Sequence, residues 1–114
     1  MDITIYHNAR CSTSRKTLAL IRQAGVEPTI IDYLEKPPSH ALLKAMAAAG
    51  LQVRDLLRKK EAMYSEMGLD NAALSDDELV DAMLAHPVLI ERPLVVSAKG
   101  VRLCRPVEKV LDIL

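Results

Sequence analysis

Apolar and polar positions alternate from Asp2 to Tyr6 around Ile3 and Ile5, the period-two pattern of a short half-buried strand, and the run passes directly into the polar segment His7-Asn8-Ala9-Arg10-Cys11-Ser12. From Thr13 to Ala24 the period lengthens. Thr17, Leu18, Leu20, Ile21 and Ala24 form one helical face, Ser12 or Thr13 can cap the start, and Gly25 suits a left-handed closing turn. Pro28 to Tyr33 reads as a second strand, and a β-α-β order favours parallel pairing of the two strands in one sheet. The opening third predicts an α/β fold, with Cys11 where a strand turns into a helix.

The middle of the chain changes character. Ser39 to Ala49, with Leu42, Leu43 and Met46, is predicted as a helix stopped by Gly50; Val53 to Lys59 is a second helical stretch, and Lys60 to Met67 a third stopped by Gly68. Ser75-Asp76-Asp77-Glu78 is a capping-box pattern. It opens a helix with Leu79, Ala82, Met83 and Ala85 on one side, ended by His86-Pro87. After Arg92-Pro93, Leu94 to Val96 and Val101 to Leu103 flank Ser97-Ala98-Lys99-Gly100 as a hairpin. Pro106 then stands at the first turn of a last helix bearing Val107, Val110, Leu111 and Leu114. No repeat or linker separates these parts. The expectation is one domain over residues 1–114, a mixed sheet with a helical insert over about 39–85 between a βαβ part and a ββα part.

Half of the 114 residues are hydrophobic. A chain of that length buries roughly 65% of its unfolded surface, enough for a core. Fifteen Lys and Arg balance fifteen Asp and Glu. The net charge of zero gives no broad field for nucleic acid, and no apolar run approaches the ~20 residues of a bilayer helix. The N-terminus lacks the basic and long apolar regions of a secretory signal. The expected setting is therefore cytoplasmic, with no membrane or nucleic-acid partner, where reductants keep Cys11 and Cys104 as thiols.

Cys11 carries the candidate chemistry. A cysteine just ahead of a helix meets unpaired backbone N–H groups and the positive end of the helix dipole, both of which favour thiolate. An unperturbed cysteine is only about 3% thiolate at pH 7, and lowering its pKa by about two makes it roughly three-quarters ionised. The same N–H groups suit a tetrahedral oxyanion, with Arg10 and Arg15 close in sequence to add positive charge. His7 stands four residues before the cysteine and can support the thiolate or simply end the strand. Cys11 to Ser14 has Cys-x-x-Cys spacing, but serine in the second place cannot form a local disulfide, so an external thiol must resolve any intermediate. Cys104, ending an apolar strand, reads as a packed structural thiol. A metal site is not expected, because neither cysteine belongs to a Cys-x-x-Cys pair and the histidines lack ligand spacing. Arg58, Arg92 and Arg105 each sit outside a long charge run, the last two beside prolines, where loops can aim guanidinium groups or leave them in solvent.

His7 to Arg15, Leu56-Leu57-Arg58-Lys59-Lys60, His86 to Val96 and Arg102-Leu103-Cys104-Arg105-Pro106 together resemble the glutaredoxin-linked arsenate reductase family, in the same order and over essentially the whole chain. The resemblance implies a thioredoxin-like fold with a helical insert. It makes Cys11 the nucleophile, with His7 beside its loop, and Arg58, Arg92 and Arg105 as ligands of arsenate; Ser14 and Arg15, next in the loop, are expected with His7 to support the thiolate. It also makes Pro93 a cis-proline. By the same resemblance no cofactor is bound; glutathione is a co-substrate and glutaredoxin the partner that removes a mixed disulfide. Ala9 stands where the family commonly has proline and Ser12 where arsenate-reducing members commonly have glycine, changes that loosen the loop and add a Cβ near the anion without removing a reacting group. Two alternatives share the scaffold: a reductase of another glutathione-linked substrate, and an Spx-type redox regulator that binds RNA polymerase. Ser14 argues against the regulator, whose switch is usually a local disulfide.

Overall fold

The computed structural model describes residues 2–48 and 51–114, with side chains left aside at 47 and 48. The predicted stop of the second helix at Gly50 lies outside the described residues. The elements run β1 (Thr4–His7), α1 (Ser12–Gln23), β2 (Thr29–Asp32), α2 (His40–Ala48), a 3₁₀ turn (Val53–Leu56) and α3 (Ala62–Glu66). They continue with α4 (Asp76–Ala85), a 3₁₀ turn (Pro87–Leu89), β3 (Leu94–Ser97), β4 (Gly100–Leu103) and a 3₁₀ helix (Val107–Ile113). They group into two compact units, one of Met1–Lys36 with Arg92–Leu114 and one of Pro37–Glu91.

In the first unit the four strands form one mixed sheet in the order β2-β1-β3-β4. β1 pairs with β2 in parallel, placing His7 opposite Asp32, and with β3 antiparallel. β3 and β4 form the expected hairpin, closed between Ser97 and Gly100, where a positive φ favours glycine. Ile3 just before β1, Ile5 on β1, Leu18 and Ile21 on α1, and Val95, Cys104, Val110 and Ile113 make one buried cluster. The α1 face matches expectation at Thr17, Leu18 and Ile21, but Ala24 is exposed and Ser14 is buried in its place.

The last helix differs in kind from its prediction. Its buried residues are Val110 and Ile113, while Leu111 is 55% exposed. A three-residue spacing suits a 3₁₀ helix, which turns every three residues, so an apolar series read at 3.6 correctly includes Val110 but takes Leu111 in place of Ile113. Pro106 precedes this helix as its cap instead of entering its first turn, and the Arg105–Pro106 bond is cis.

The second unit holds the helical insert. Val53 and Leu56 are buried at three-residue spacing in a 3₁₀ turn boxed by Gln52 and Asp55. The stretch predicted as a helix to Lys59 breaks there, because Leu57 turns into an antiparallel bridge with Ile90. Arg58 N–H donates to Leu89 O at 2.7 Å and Glu91 N–H to Leu56 O at 2.7 Å, satisfying backbone groups that a helix would have paired internally. α3 begins at Ala62, later than predicted. α4 has the Ser75–Glu78 capping box, and Val80 rather than Ala85 completes its buried face.

Cys104 is a packing residue. Burial pushes its thiol up to about 12, against the smaller opposing effects of Arg102 and Lys109. Because the folded value exceeds the unfolded one, the unfolded chain loses this proton first on titration with base. Stability from this group is then full below the ordinary thiol pKa and declines as pH rises from there to about 12. Cys104→Ala should lose about 1 kcal/mol at neutral pH through lost packing, yet show a shallower alkaline fall in Tm than the parent. Thermal melts of both proteins across that window check it.

Candidate functional site

Residues 8–11 connect β1 to α1, and their backbone groups are satisfied locally. Cys11 N–H donates to Asn8 O at 3.0 Å, and Arg10 N–H donates to Asn8 Oδ1 at 2.9 Å, an Asx turn. Asn8 N–H donates to Ser14 Oγ at 3.1 Å. Arg15 Nη1 donates to Ala9 O at 2.8 Å, tying the exposed bend back to the helix. Cys11 becomes the N-cap of α1, with extended backbone at φ −93° and ψ 122°, where Ser12 or Thr13 had been expected to cap. Its sulfur makes no conventional cap bond, and the residue is partly exposed.

Several groups act on that sulfur. Partial burial pushes the thiol up, but the Ser14 backbone N–H, the Arg92 guanidinium as both donor and charge, and the Thr13 backbone N–H outweigh it. The net result is a thiol below its ordinary value. Alkylation of Cys11 by iodoacetamide should therefore reach half its limiting rate at a lower pH than an unperturbed thiol, with Cys104 unreactive in the folded protein. Peptide-resolved mass spectrometry of a pH series measures both.

Arg92 ends in the first unit beside Pro93, and the Arg92–Pro93 bond is cis. Arg92 Nε is buried and has no hydrogen-bond partner among the described residues. A buried guanidinium N–H left unmatched is costly unless an acceptor occupies the place it faces. Arg105 Nη1 donates to Arg92 O at 2.9 Å, so Arg92, Arg105 and Pro93 are assembled at one junction of the sheet. Arg58 belongs to the second unit, where its guanidinium lies 3.2 Å from Glu61 and 3.4 Å from Glu91.

His7, Ser14 and Arg15 are placed less directly than expected. Ser14 reaches the sulfur through its backbone N–H. Its buried hydroxyl lies 2.6 Å from His7 Nδ1 and accepts from Asn8 N–H. Burial lowers the His7 pKa, Asp32 opposes this, and Arg15 and Arg22 add to it. Burial thus favours the neutral form of His7, whose ring meets the Ser14 hydroxyl. Arg15 serves the loop backbone and Arg10 is exposed. Asn8 and Tyr33 were missed by sequence reasoning as organisers of the loop; an Asn two residues ahead of the bend is the signal that could have found the first. No group of three His, Cys, Asp or Glu residues suited to a metal occurs among the described residues. No described helix is long and apolar enough to cross a membrane.

Comparison with known proteins places this arrangement. The model of the ArsC family matches residues 6–113. An arsenate reductase of Rhizobium meliloti (strain 1021) is 60% identical over 115 residues, covering all of this chain and 82% of that protein. The uncharacterized protein YfgD of Escherichia coli (strain K12) is 44% identical, over 98% of this chain and 96% of its own. The solved arsenate reductase from Vibrio cholerae superposes with a TM-score of 0.93 at 49% identity, covering 100% of this chain and 98% of that one. Matched from Tyr6 to Ile113, and sharing the thioredoxin-like architecture of those structures, the chain belongs to the ArsC family.

Proposed function

We propose that this protein reduces arsenate to arsenite with Cys11 as nucleophile and glutathione and glutaredoxin as reductants. The observation that carries the reading is the pairing of a partly exposed, acidified cysteine with the Arg92 guanidinium, whose buried Nε lacks a protein partner. Arsenate reductases among its relatives supply the substrate.

The chemistry follows from that pairing. Cys11 thiolate attacks arsenic, an As–S bond forms, and one arsenate oxygen leaves as water after taking up protons. The Arg92 and Arg105 cations offset oxyanion charge that would otherwise repel an anionic sulfur. By family resemblance Arg58, paired with Glu61 and Glu91, is a further arsenate ligand. Glutathione thiolate then bonds to the Cys11 sulfur as the S–As electron pair passes to arsenic, so arsenic goes from V to III while two thiols become one disulfide. Ser14 cannot resolve that disulfide, as a second cysteine would, and glutaredoxin removes the glutathione from Cys11. Its setting is the cytoplasm, where both reductants are kept reduced.

The test is NADPH oxidation with glutathione, glutaredoxin and glutathione reductase present, started by arsenate. An arsenate-dependent rate proportional to protein is expected; a rate no greater than the mixture without protein overturns the reading. Replacing glutaredoxin by buffer should abolish turnover if the mixed disulfide forms as described.

A further inference from the structure

We propose that Asn8 is a positioning residue that holds Cys11 at the helix N-cap, with its sulfur against the backbone N–H groups of Thr13 and Ser14. The proposal deepens the reading of Cys11 as nucleophile and rests on it. Residue 8 makes four bonds, two through its main chain, which any residue would keep, and two through the Asn side chain, to Arg10 and Tyr33. Its carbonyl accepts from Cys11 N–H (3.0 Å), its Oδ1 from Arg10 N–H (2.9 Å), and its own N–H donates to Ser14 Oγ (3.1 Å). Its Nδ2 donates to Tyr33 Oη at 3.3 Å.

The amide orientation is set by chemistry. A backbone N–H can only donate, so the atom facing Arg10 must be Oδ1, which turns Nδ2 toward Tyr33. Tyr33 is 1% exposed, immediately after β2, so the side chain of Asn8 is anchored to a buried residue at the end of that strand. The Ser14 bond closes a second ring, between the residue after β1 and the first turn of α1, and passes on to His7 through the same hydroxyl. The bond accepted by the Asn8 side chain from Arg10 N–H reinforces a bend that the main-chain bond from Cys11 N–H closes, just where Cys11 is extended ahead of the first helical turn. An Asn here does what a proline at the next position would do in a stiffer loop: it reduces the conformations of the bend, while Ala9 leaves it free. Without the Asx turn, residues 9–11 can rotate and withdraw the sulfur from the N–H groups that favour its charge.

The experiment is the pH dependence of Cys11 alkylation by iodoacetamide in the full chain, with melting followed by circular dichroism. Asn8→Ala should slow alkylation at pH 7 about fivefold and move the profile to higher pH, through loss of the hydrogen bonds to the charged form. Asn8→Ser, whose hydroxyl can form the weaker equivalent turn, should recover part of the loss. Tyr33→Phe should give a smaller shift in the same direction. A lowered Tm with an unmoved profile in Asn8→Ala shows a purely structural role and overturns the proposal. If Asn8→Ala does not fold, unmoved profiles in both Asn8→Ser and Tyr33→Phe overturn it equally. Alkylation needs no arsenate, so failure here is separate from failure of arsenate turnover in the unsubstituted protein.

Discussion

Cys11→Ser is expected to reduce arsenate-dependent NADPH oxidation to the rate of the coupled mixture alone, a loss of at least about 10³-fold. A serine hydroxyl in the same place would meet the same N–H groups and the same guanidinium, but it stays protonated near neutral pH and is a weak nucleophile without an adjacent base. No described base is poised to help it: His7 sits against Ser14 Oγ at 2.6 Å, and its interactions run to that hydroxyl. Nor does the second cysteine substitute. Cys104 is buried in the core cluster with its thiol pushed up to about 12, so it is neither ionised nor accessible. The variant should fold and melt near the parent, because Cys11 is only partly buried and its backbone bonds survive the change. Measurable turnover by Cys11→Ser, with its fold intact, would mean that arsenic never bonds to this sulfur.

The place of the Cys11 sulfur was partly legible in the amino-acid sequence. The alternation around Ile3 and Ile5, followed by a helical period from Thr17 to Ile21, was enough to put Cys11 at a strand-to-helix junction. The Ser75–Glu78 capping box likewise marked a helix start that the structure has. These are local signals, read from neighbours within a few residues. What stayed hidden depended on partners far along the chain. Arg92 acts on a sulfur eighty-one positions earlier only because β3 pairs with β1, a register that no local pattern specifies. The bridge from Leu57 to Ile90 overrode a plausible helix for the same reason. The closing 3₁₀ helix was misread for a different one, since a seven-residue segment can be fitted at a period of 3 or 3.6, and only packing of Val110 and Ile113 decides. Side-chain roles were the least legible. His7, Ser14 and Arg15 stand near the sulfur in sequence, but the Ser14 hydroxyl serves His7 and Asn8, and Arg15 binds the Ala9 carbonyl.

Arg92→Ala should lower kcat/KM for arsenate by about 10²- to 10³-fold, the scale of losing one preorganised donor to a developing charge. Two effects combine in this number. The Cys11 thiolate loses the Arg92 hydrogen bond and charge, leaving the backbone N–H groups of Ser14 and Thr13 to oppose burial, so its alkylation profile should move to higher pH. The oxyanion separately loses a cation whose buried Nε has no partner in the protein, which should appear as a raised KM. The pH profile separates them: assayed above the shifted thiol value, the variant should regain the first part of its loss and keep the second. Arg92→Lys should recover less than tenfold, because an ammonium restores a point charge but not the planar fork of donors of a guanidinium. Removing the long side chain also leaves Arg105 bonded to the carbonyl of residue 92, so the strand junction survives and the variant should melt close to the parent. A variant that alkylates like the parent and retains its kcat/KM would take Arg92 out of the site. The sulfur would then owe its acidity to the helix start alone.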